Sequence, residues 1–370
     1  MDWMRVIACF MVMLVHSTEP FYLGGDDAFI ASSSDALWVS FFDSLARCCV
    51  PLFVIASSYL QFPVRYSTGE FFRRRAARIL IPFAVWSVFY AFYWGEPVTN
   101  LKGLLLNFNY AAGHLWFVYM IVGIYILMPL LSPWAEKVGK KELTAYLSIW
   151  FLASFIPLLR DWASDGTPLI VFGPTGVPRQ ALFPLWGEAC WNSFGTFYYV
   201  SGFAGYLLLG LWFRKFGDGI SLRKSLAVGI PCYLAGFVIT AGGFLRRAYA
   251  SAGGVFPFAG NTSDSTWWET TWDFCSAGVV LMTVGLVLLM KNIRSDGRFY
   301  GRIVFPVSGA GYGMYLGHMV ALSFFAGLYG RILVSTPVVI LATAVSSYVT
   351  VAAAAVLIRK IPVAGKMIAG

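Results

Sequence analysis

The sequence predicts an all-α, polytopic membrane protein, and three observations lead to that fold class. Apolar residues make up 58% of the 370 residues and charged residues only 12%, and the mean hydropathy is +0.70. A soluble domain needs roughly 25% charged residues to cover its surface, so a water-soluble protein is excluded. Apolar stretches of about 20 residues recur along the chain, each long enough to cross a bilayer as a helix. Open strands are excluded there because lipid cannot satisfy their backbone polar groups.

The recurring apolar stretches predict about ten membrane-spanning helices in a single transmembrane domain over residues 1–370, with no separate soluble domain. The first stretch carries Arg5, and no small-residue cleavage site follows it. We therefore predict a retained first helix rather than a signal peptide. The predicted spans are residues 3–22, 36–60, 76–95, 113–131, 143–159, 190–213, 226–245, 272–290, 303–330 and 337–358.

Lysine and arginine are concentrated in every second loop, which predicts the orientation of the chain. The basic segments are residues 65–78, 137–141, 214–224, 291–302 and 359–366. Cytoplasmic loops carry the excess of Lys and Arg, so both termini are predicted to be cytoplasmic. The same asymmetry accounts for the net charge of +9, and no nucleic acid partner is predicted.

The six cysteines lie in apolar runs without CxxC spacing. This pattern is typical of small buried hydrophobic residues rather than of disulfide partners or metal ligands. We predict neither a metal site nor a permanently bound cofactor.

Arg5 and His16 are the most informative polar residues inside a predicted span. They are eleven residues apart, which is about 16 Å and close to three helical turns, so they project from one face together with Cys9 and Val12. Ionisable groups within a span are costly and indicate function by default. A structural alternative stays open, in which Arg5 reaches the lipid headgroups and His16 binds a backbone carbonyl.

Two further polar features lie inside the predicted spans. His114 and His318 fall at a depth similar to that of His16, in the predicted outer half of the membrane. Asp43 and Arg47 are spaced i, i+4 on one helix and can pair. That pair is either a structural ion pair or a group that orients a substrate.

The segment FFRRRAARILIP (71–82) places Arg73, Arg74, Arg75 and Arg78 at the predicted inner end of the third span. Such a run is either a topology anchor or a cradle for a polyanion, since guanidinium groups bind phosphate through paired hydrogen bonds. The predicted outer loops are rich in tryptophan, which indicates either an interfacial aromatic belt or a surface on which sugars stack. These residues are Trp186, Trp191, Trp267, Trp268 and Trp272.

Five segments, together with the spacing of Arg5 and His16, resemble one family in their order and spacing. They are RCCVPLFVIASSYL (47–60), FFRRRAARILIPF (71–83), HLWFVYMIVGIYILMPLL (114–131), GTFYYVSGFAGYLLLG (195–210) and GAGYGMYLGHMV (309–320). The chain resembles acyltransferase family 3, which comprises bacterial integral-membrane O-acyltransferases, and most closely the subgroup that acetylates surface polysaccharides. One departure is Ser58, where the family pattern has a glycine.

The resemblance implies a multi-pass protein of the bacterial cytoplasmic (inner) membrane. Its co-substrate would be cytosolic acetyl-CoA or another acyl-CoA. Its acceptor would be a hydroxyl of an extracytoplasmic glycan or lipid-linked sugar, so that the reaction is an O-acetylation of the cell envelope.

The implied catalytic residues are His16 as general base and Arg5 as its donor-side partner, while Arg73, Arg74, Arg75 and Arg78 would bind the phosphates of CoA. A histidine pKa, ordinarily about 6.5, suits a base at neutral pH. The residues implied to orient the acceptor or the base are His318, His114, Asp43, Arg47, Tyr59, Trp116 and Tyr315.

A transporter or flippase for a glycan or an acyl species is the alternative class, because buried charges and scattered glycines are equally typical of carriers. The oligomeric state is not predicted.

Overall fold

The computed structural model of the chain describes residues 1–24, 27–106, 110–163, 169–172, 178–181, 202–259, 268–363 and 365–370. In this part of the chain, eight helical segments are long and apolar enough to cross a membrane. The all-α prediction is therefore confirmed, and the chain is a multi-pass membrane protein. The eight segments are Asp2–Phe21, Ser33–Gln61, Thr68–Tyr93, Ala112–Lys137, Lys140–Leu159, Leu222–Ala252, Glu269–Met290 and Thr336–Ile358.

The longer helices are numbered here in chain order. They are α1 (Asp2–Thr18), α2 (Ser33–Ala46), α3 (Cys49–Gln61), α4 (Thr68–Arg75), α5 (Ile81–Tyr93), α6 (Pro97–Leu106), α7 (Trp116–Lys137), α8 (Lys140–Ala153), α9 (Ile156–Ala163), α10 (Ala204–Phe216), α11 (Leu222–Ala252), α12 (Ala277–Met290), α13 (Phe305–Ile332) and α14 (Thr336–Ile358).

Two of the ten predicted spans are not among those eight segments. Residues 303–330 correspond to α13, which is 28 residues long but rich in glycine and tyrosine. Of residues 190–213, only the part from residue 202 onward is described, where α10 begins at Ala204. The orientation of the termini stays a prediction.

Short strands occur in three of the predicted outer loops. β1 (Leu23–Gly24), β2 (Asp27–Ile30) and β5 (Phe258–Ala259) form an antiparallel sheet in the order β1-β2-β5. β3 (Leu169–Phe172) and β4 (Pro178–Ala181) pair as an antiparallel hairpin.

The chain divides into two compact units. Unit 1 comprises residues 1–20, 60–137 and 293–370, and unit 2 comprises residues 21–59 and 138–292. In unit 1, α1 packs against both α13 and α14, and α5 packs against α13. The carboxylate of Asp2 fixes the start of α1 because it accepts hydrogen bonds from the hydroxyls of Tyr300 and Ser308, each at 2.6 Å.

Unit 2 is built around the contact of α11 with α12 and a buried aromatic cluster. α11 and α12 approach closely at Gly236, where a Cβ would lie 2.3 Å from the carbonyl oxygen of Gly278. Close approach through small residues is the usual way in which helices pack in lipid. Members of the aromatic cluster include Tyr22, Phe244, Trp268 and Trp272.

The structure also shows how unit 2 accommodates Ser58, the departure from the family pattern. Ser58 is fully buried, and its hydroxyl donates to the Leu207 carbonyl at 2.5 Å. Gly210 faces it, and a Cβ there would lie 2.5 Å from the Ser58 Cβ. The glycine on α10 therefore provides the space that the serine on α3 occupies.

Candidate active site

Three histidines from three segments of unit 1 meet in one cluster. The ring centroid of His318, on α13, lies 5.1 Å from that of His16, on α1, and 5.0 Å from that of His114. His114 precedes α7 in a 3₁₀ turn (Tyr110–Leu115) that is kinked at Ala112. The sequence contains only these three histidines, so the fold assembles all of them at one place.

A carboxylate orients His16. The Nδ1 atom of His16 lies 2.7 Å from Oε1 of Glu19, one turn further along the chain. A carboxylate only accepts hydrogen bonds, so Nδ1 carries a proton, and in the neutral imidazole Nε2 is the basic nitrogen. A histidine oriented in this way is suited to act as a base through Nε2.

His318 is fixed by its own helix. Its side chain is fully buried, and its Nδ1 donates to the backbone carbonyl of Tyr315. Its Nε2 is buried and has no hydrogen-bond partner among the described residues, and the same holds for Nε2 of His114. These two buried nitrogen atoms, which lack a partner among the described residues, can form hydrogen bonds with a bound molecule.

Tyrosines fix the other side of the cluster. The hydroxyl of Tyr315 donates to the backbone carbonyl of His114 at 2.5 Å, and its ring stacks on that of His318 at 5.8 Å. The hydroxyl of Tyr90, on α5, donates to the Leu316 carbonyl at 2.9 Å, while its ring lies edge-on to His114 at 4.8 Å. These bonds attach α5 and the start of α7 to α13 beside the histidines.

The Arg5–His16 face of α1 is packed at its middle. Cys9 and Val12 are buried, and the Cys9 thiol lies 3.8 Å from the Gly311 carbonyl oxygen on α13. Arg5 and His16, at the two ends of the face, are each only partly buried. The middle of this face is therefore occupied by packing against α13.

The arginine run of the third span divides into different environments. Arg74 lies 2.5 Å from the Glu70 carboxylate and 4.3 Å from the centroid of the Tyr66 ring, so its charge is already paired. Arg73 and Arg78 are exposed. Only Arg75 turns inward, toward the Tyr125 ring at 5.9 Å.

Arg75 lies in a locally basic environment. Its Nε atom is buried and has no hydrogen-bond partner among the described residues. Arg5 and Arg78 are near enough to repel it electrostatically. Guanidinium groups that repel one another favour a bound anion, and phosphate is an anion that arginine can bind through paired hydrogen bonds.

Three of the predicted site residues lie in unit 2. Asp43 is fully buried and paired through both carboxylate oxygens with Arg47, which also lies 3.9 Å from Glu269. Tyr59 is half-buried on α3. Asp43 and Arg47 thus form the ion pair that their spacing indicates. That Asp43, Arg47 and Tyr59 orient an acceptor stays a prediction.

The sugar-stacking interpretation is wrong for two of the tryptophans. The indole of Trp272 is fully buried, with the Phe244 ring 4.0 Å from one face and the Arg47 guanidinium 4.5 Å from the other. Trp268 is also buried, and its indole donates to the Ser251 hydroxyl. Neither ring offers a face to a sugar. Trp186, Trp191 and Trp267 lie outside the described residues.

Trp116, at the start of α7, is half-buried beside the cluster. Its ring centroid lies 6.4 Å from that of Phe117, which in turn lies 5.3 Å from Tyr315. Among the described residues, no group of three or more His, Cys, Asp or Glu side chains is arranged to hold a metal ion.

Sequence reasoning missed Glu19, Tyr90 and also Tyr312, a residue of α13 whose hydroxyl donates to the Ile79 carbonyl at 2.8 Å. The i, i+3 spacing of Glu19 from His16 is visible in the sequence and could have revealed the first of them. The two tyrosines carry no such signal, because their partners lie on helices distant in the chain.

Comparison with known proteins gives one match. Residues 1–358, nearly the whole chain, match the family described as "Acyltransferase domain". No curated protein and no solved structure matches the chain.

Proposed function

The chain belongs to this acyltransferase family, the acyltransferase family 3 that its motifs resemble, and on that premise we propose that it transfers an acetyl group from acetyl-CoA to a glycan hydroxyl. The family supports a multi-pass membrane acyltransferase in general. The finer proposal is a cytosolic acyl-CoA donor and an extracytoplasmic glycan or lipid-linked sugar as acceptor, in the bacterial cytoplasmic membrane. The result is an O-acetylated polysaccharide of the cell envelope.

The observation that carries the proposal is the orientation of His16. With Nδ1 donating to Glu19 at 2.7 Å, Nε2 is the nitrogen through which His16 would take a proton from an acceptor hydroxyl. A sugar hydroxyl is too weak an acid to attack a thioester unaided, and a positioned base accelerates such an attack by roughly 10² to 10⁴.

The proposed reaction proceeds by direct attack. The hydroxyl oxygen attacks the thioester carbonyl carbon, so that a carbon–oxygen bond forms and the carbon–sulfur bond breaks. The hydroxyl proton moves to Nε2 of His16 and from there to the departing thiolate, which leaves as free CoA. His318 and His114, whose Nε2 atoms are buried and unpartnered within the described residues, are proposed to orient the acceptor.

The donor is proposed to bind at the other end of α1. Arg5 lies eleven residues, about 16 Å, from His16 on one continuous helix, and it interacts electrostatically with Arg75. Phosphates of acyl-CoA held by these guanidinium groups would leave the pantetheine arm to bring the thioester toward His16. Arg73 is exposed and can assist, whereas Arg74 is already paired with Glu70.

The proposal is tested by thiol release from acetyl-CoA. Purified protein is supplied with labelled acetyl-CoA and a panel of envelope glycans, and free CoA and labelled glycan are measured together. We expect both to appear in equal amounts and only with a suitable acceptor. Movement of glycan across a liposome membrane without thiol release would instead support the carrier.

A further inference from the structure

The third span contains a π turn that begins directly after Arg75 and includes Arg78. α4 ends at Arg75, residues Ala76–Leu80 form the π turn, and α5 follows from Ile81. Pro82 follows the turn, in the first turn of α5, and it has no N–H to donate to the Arg78 carbonyl four residues earlier, so a regular α-helical bond is missing there. π turns inside helices are rare and occur frequently at functional sites.

A side chain from another helix binds this turn. The hydroxyl of Tyr312, on α13, donates to the carbonyl of Ile79 at 2.8 Å. The Tyr312 ring stacks on Tyr315 at 6.2 Å, and Tyr315 in turn binds His114 and stacks on His318. Tyr312 therefore connects the turn to the helix that carries part of the histidine cluster.

We propose that Tyr312 is a positioning residue for the acyl-CoA site, because it holds the π turn that sets how Arg75 and Arg78 project. A π turn widens the helix and changes the angle between side chains on either side of it. In the observed arrangement Arg75 turns inward and Arg78 stays exposed, yet the two remain close enough to interact. This inference rests on the proposed function, since it assumes that these arginines bind the donor.

The hydroxyl of Tyr312 can be removed without removing its ring. Tyr312→Phe keeps the stack on Tyr315 and deletes only the hydrogen bond to Ile79. Tyr233→Phe is the matched control, because the Tyr233 hydroxyl donates to the Leu45 carbonyl at 2.7 Å and both residues belong to unit 2, whereas the arginines belong to unit 1. Both variants lose one tyrosine-to-carbonyl bond inside the membrane region.

The experiment measures CoA binding by calorimetry and acetyl transfer by steady-state kinetics, with thermal unfolding in detergent as a check. For Tyr312→Phe we expect the Kd of CoA and the KM of acetyl-CoA to rise roughly three- to tenfold, the factor that corresponds to the loss of one hydrogen bond. The kcat at saturating donor should stay within about twofold of wild type. Tyr233→Phe should leave the donor constants unchanged.

The outcomes separate this inference from the proposed function. A wild-type protein that does not bind CoA would contradict the proposed donor site itself. Suppose that the wild-type protein binds CoA and that Arg75→Gln weakens this binding. If Tyr312→Phe then leaves the Kd of CoA unchanged, the positioning role of Tyr312 is wrong. Should Tyr312→Phe fail to fold, Pro82→Ala tests the same turn, since it restores the N–H that favours a regular α-helix. An unchanged Kd of CoA in that variant would equally overturn the inference.

Discussion

Glu19 provides the sharpest test of how His16 is activated. The change is Glu19→Gln, which keeps the size of the side chain and can still accept a hydrogen bond, but removes its charge. The Oε1 atom lies 2.7 Å from Nδ1 of His16, within charge-assisted hydrogen-bond distance. We therefore expect the imidazole to keep its place while the imidazolium that forms during the reaction is less stabilised.

The size of the effect follows from the exposure of the pair. The His16 side chain is 21% exposed and that of Glu19 is 30% exposed, so water weakens their attraction. A hydrogen bond to a charged group contributes roughly 1.5 to 3 kcal/mol, and partial exposure favours the lower end of that range. About 1.4 kcal/mol corresponds to a tenfold change in rate, so kcat should fall by about tenfold.

The assay is release of free CoA at saturating acetyl-CoA and acceptor. Glu142→Gln, which neutralises a carboxylate in the first turn of α8, is the matched control and should have wild-type kcat. The KM of acetyl-CoA should be unchanged in both variants, because the proposed site for the donor phosphates lies at the other end of α1. A Glu19→Gln enzyme with wild-type kcat would refute the orienting role, as would a fall in stability with no fall in kcat.

Three further predictions concern the donor site and the packing of unit 2. In steady-state kinetics, Arg75→Gln should raise the KM of acetyl-CoA about tenfold. Arg74→Gln should raise it less than twofold, because Arg74 is already paired with Glu70. Equal effects of the two variants would mean that the arginine run is only a topology anchor. Asp43→Ala should lower the free energy of unfolding by about 3 to 5 kcal/mol because it leaves Arg47 without its buried partner. If a doubly apolar variant of that pair is stable but inactive, the pair is more than structural. Gly210→Ala should cost about 1 to 3 kcal/mol by overpacking, and an unchanged Tm in detergent would mean that this contact relaxes freely.

The sequence was sufficient to predict the helices and most of the residues of the cluster. Apolar windows of about 20 residues locate the spans, because no other backbone structure satisfies its polar groups in lipid. Arg5 and His16 stand out because they interrupt such a window. Even so, the meeting of His16 with His114 and His318 depends on which helices are neighbours, which one sequence does not show.

The different environments of the arginines could not be predicted from the sequence. Arg74 and Arg75 are adjacent in the chain, yet one pairs with Glu70 and the other turns toward Tyr125, on α7. Their different partners, one on the same helix and one on α7, depend on helix packing, which does not follow from residue spacing. The burial of Trp272 was likewise hidden, because Phe244 and Arg47, which cover its two faces, come from separate helices.

The most direct test of the account is acetyl transfer across a sealed membrane, measured with wild-type protein and with His16→Ala. Proteoliposomes of uniform orientation receive labelled acetyl-CoA on the face of the Arg73–Arg78 run and the glycan acceptor on the opposite face. We predict labelled glycan with the wild-type protein, and less than a tenth of that turnover with His16→Ala at normal expression and stability. Transfer only when both substrates share one face would contradict the through-membrane reaction, and a His16→Ala protein with more than a tenth of wild-type turnover would remove His16 as the base.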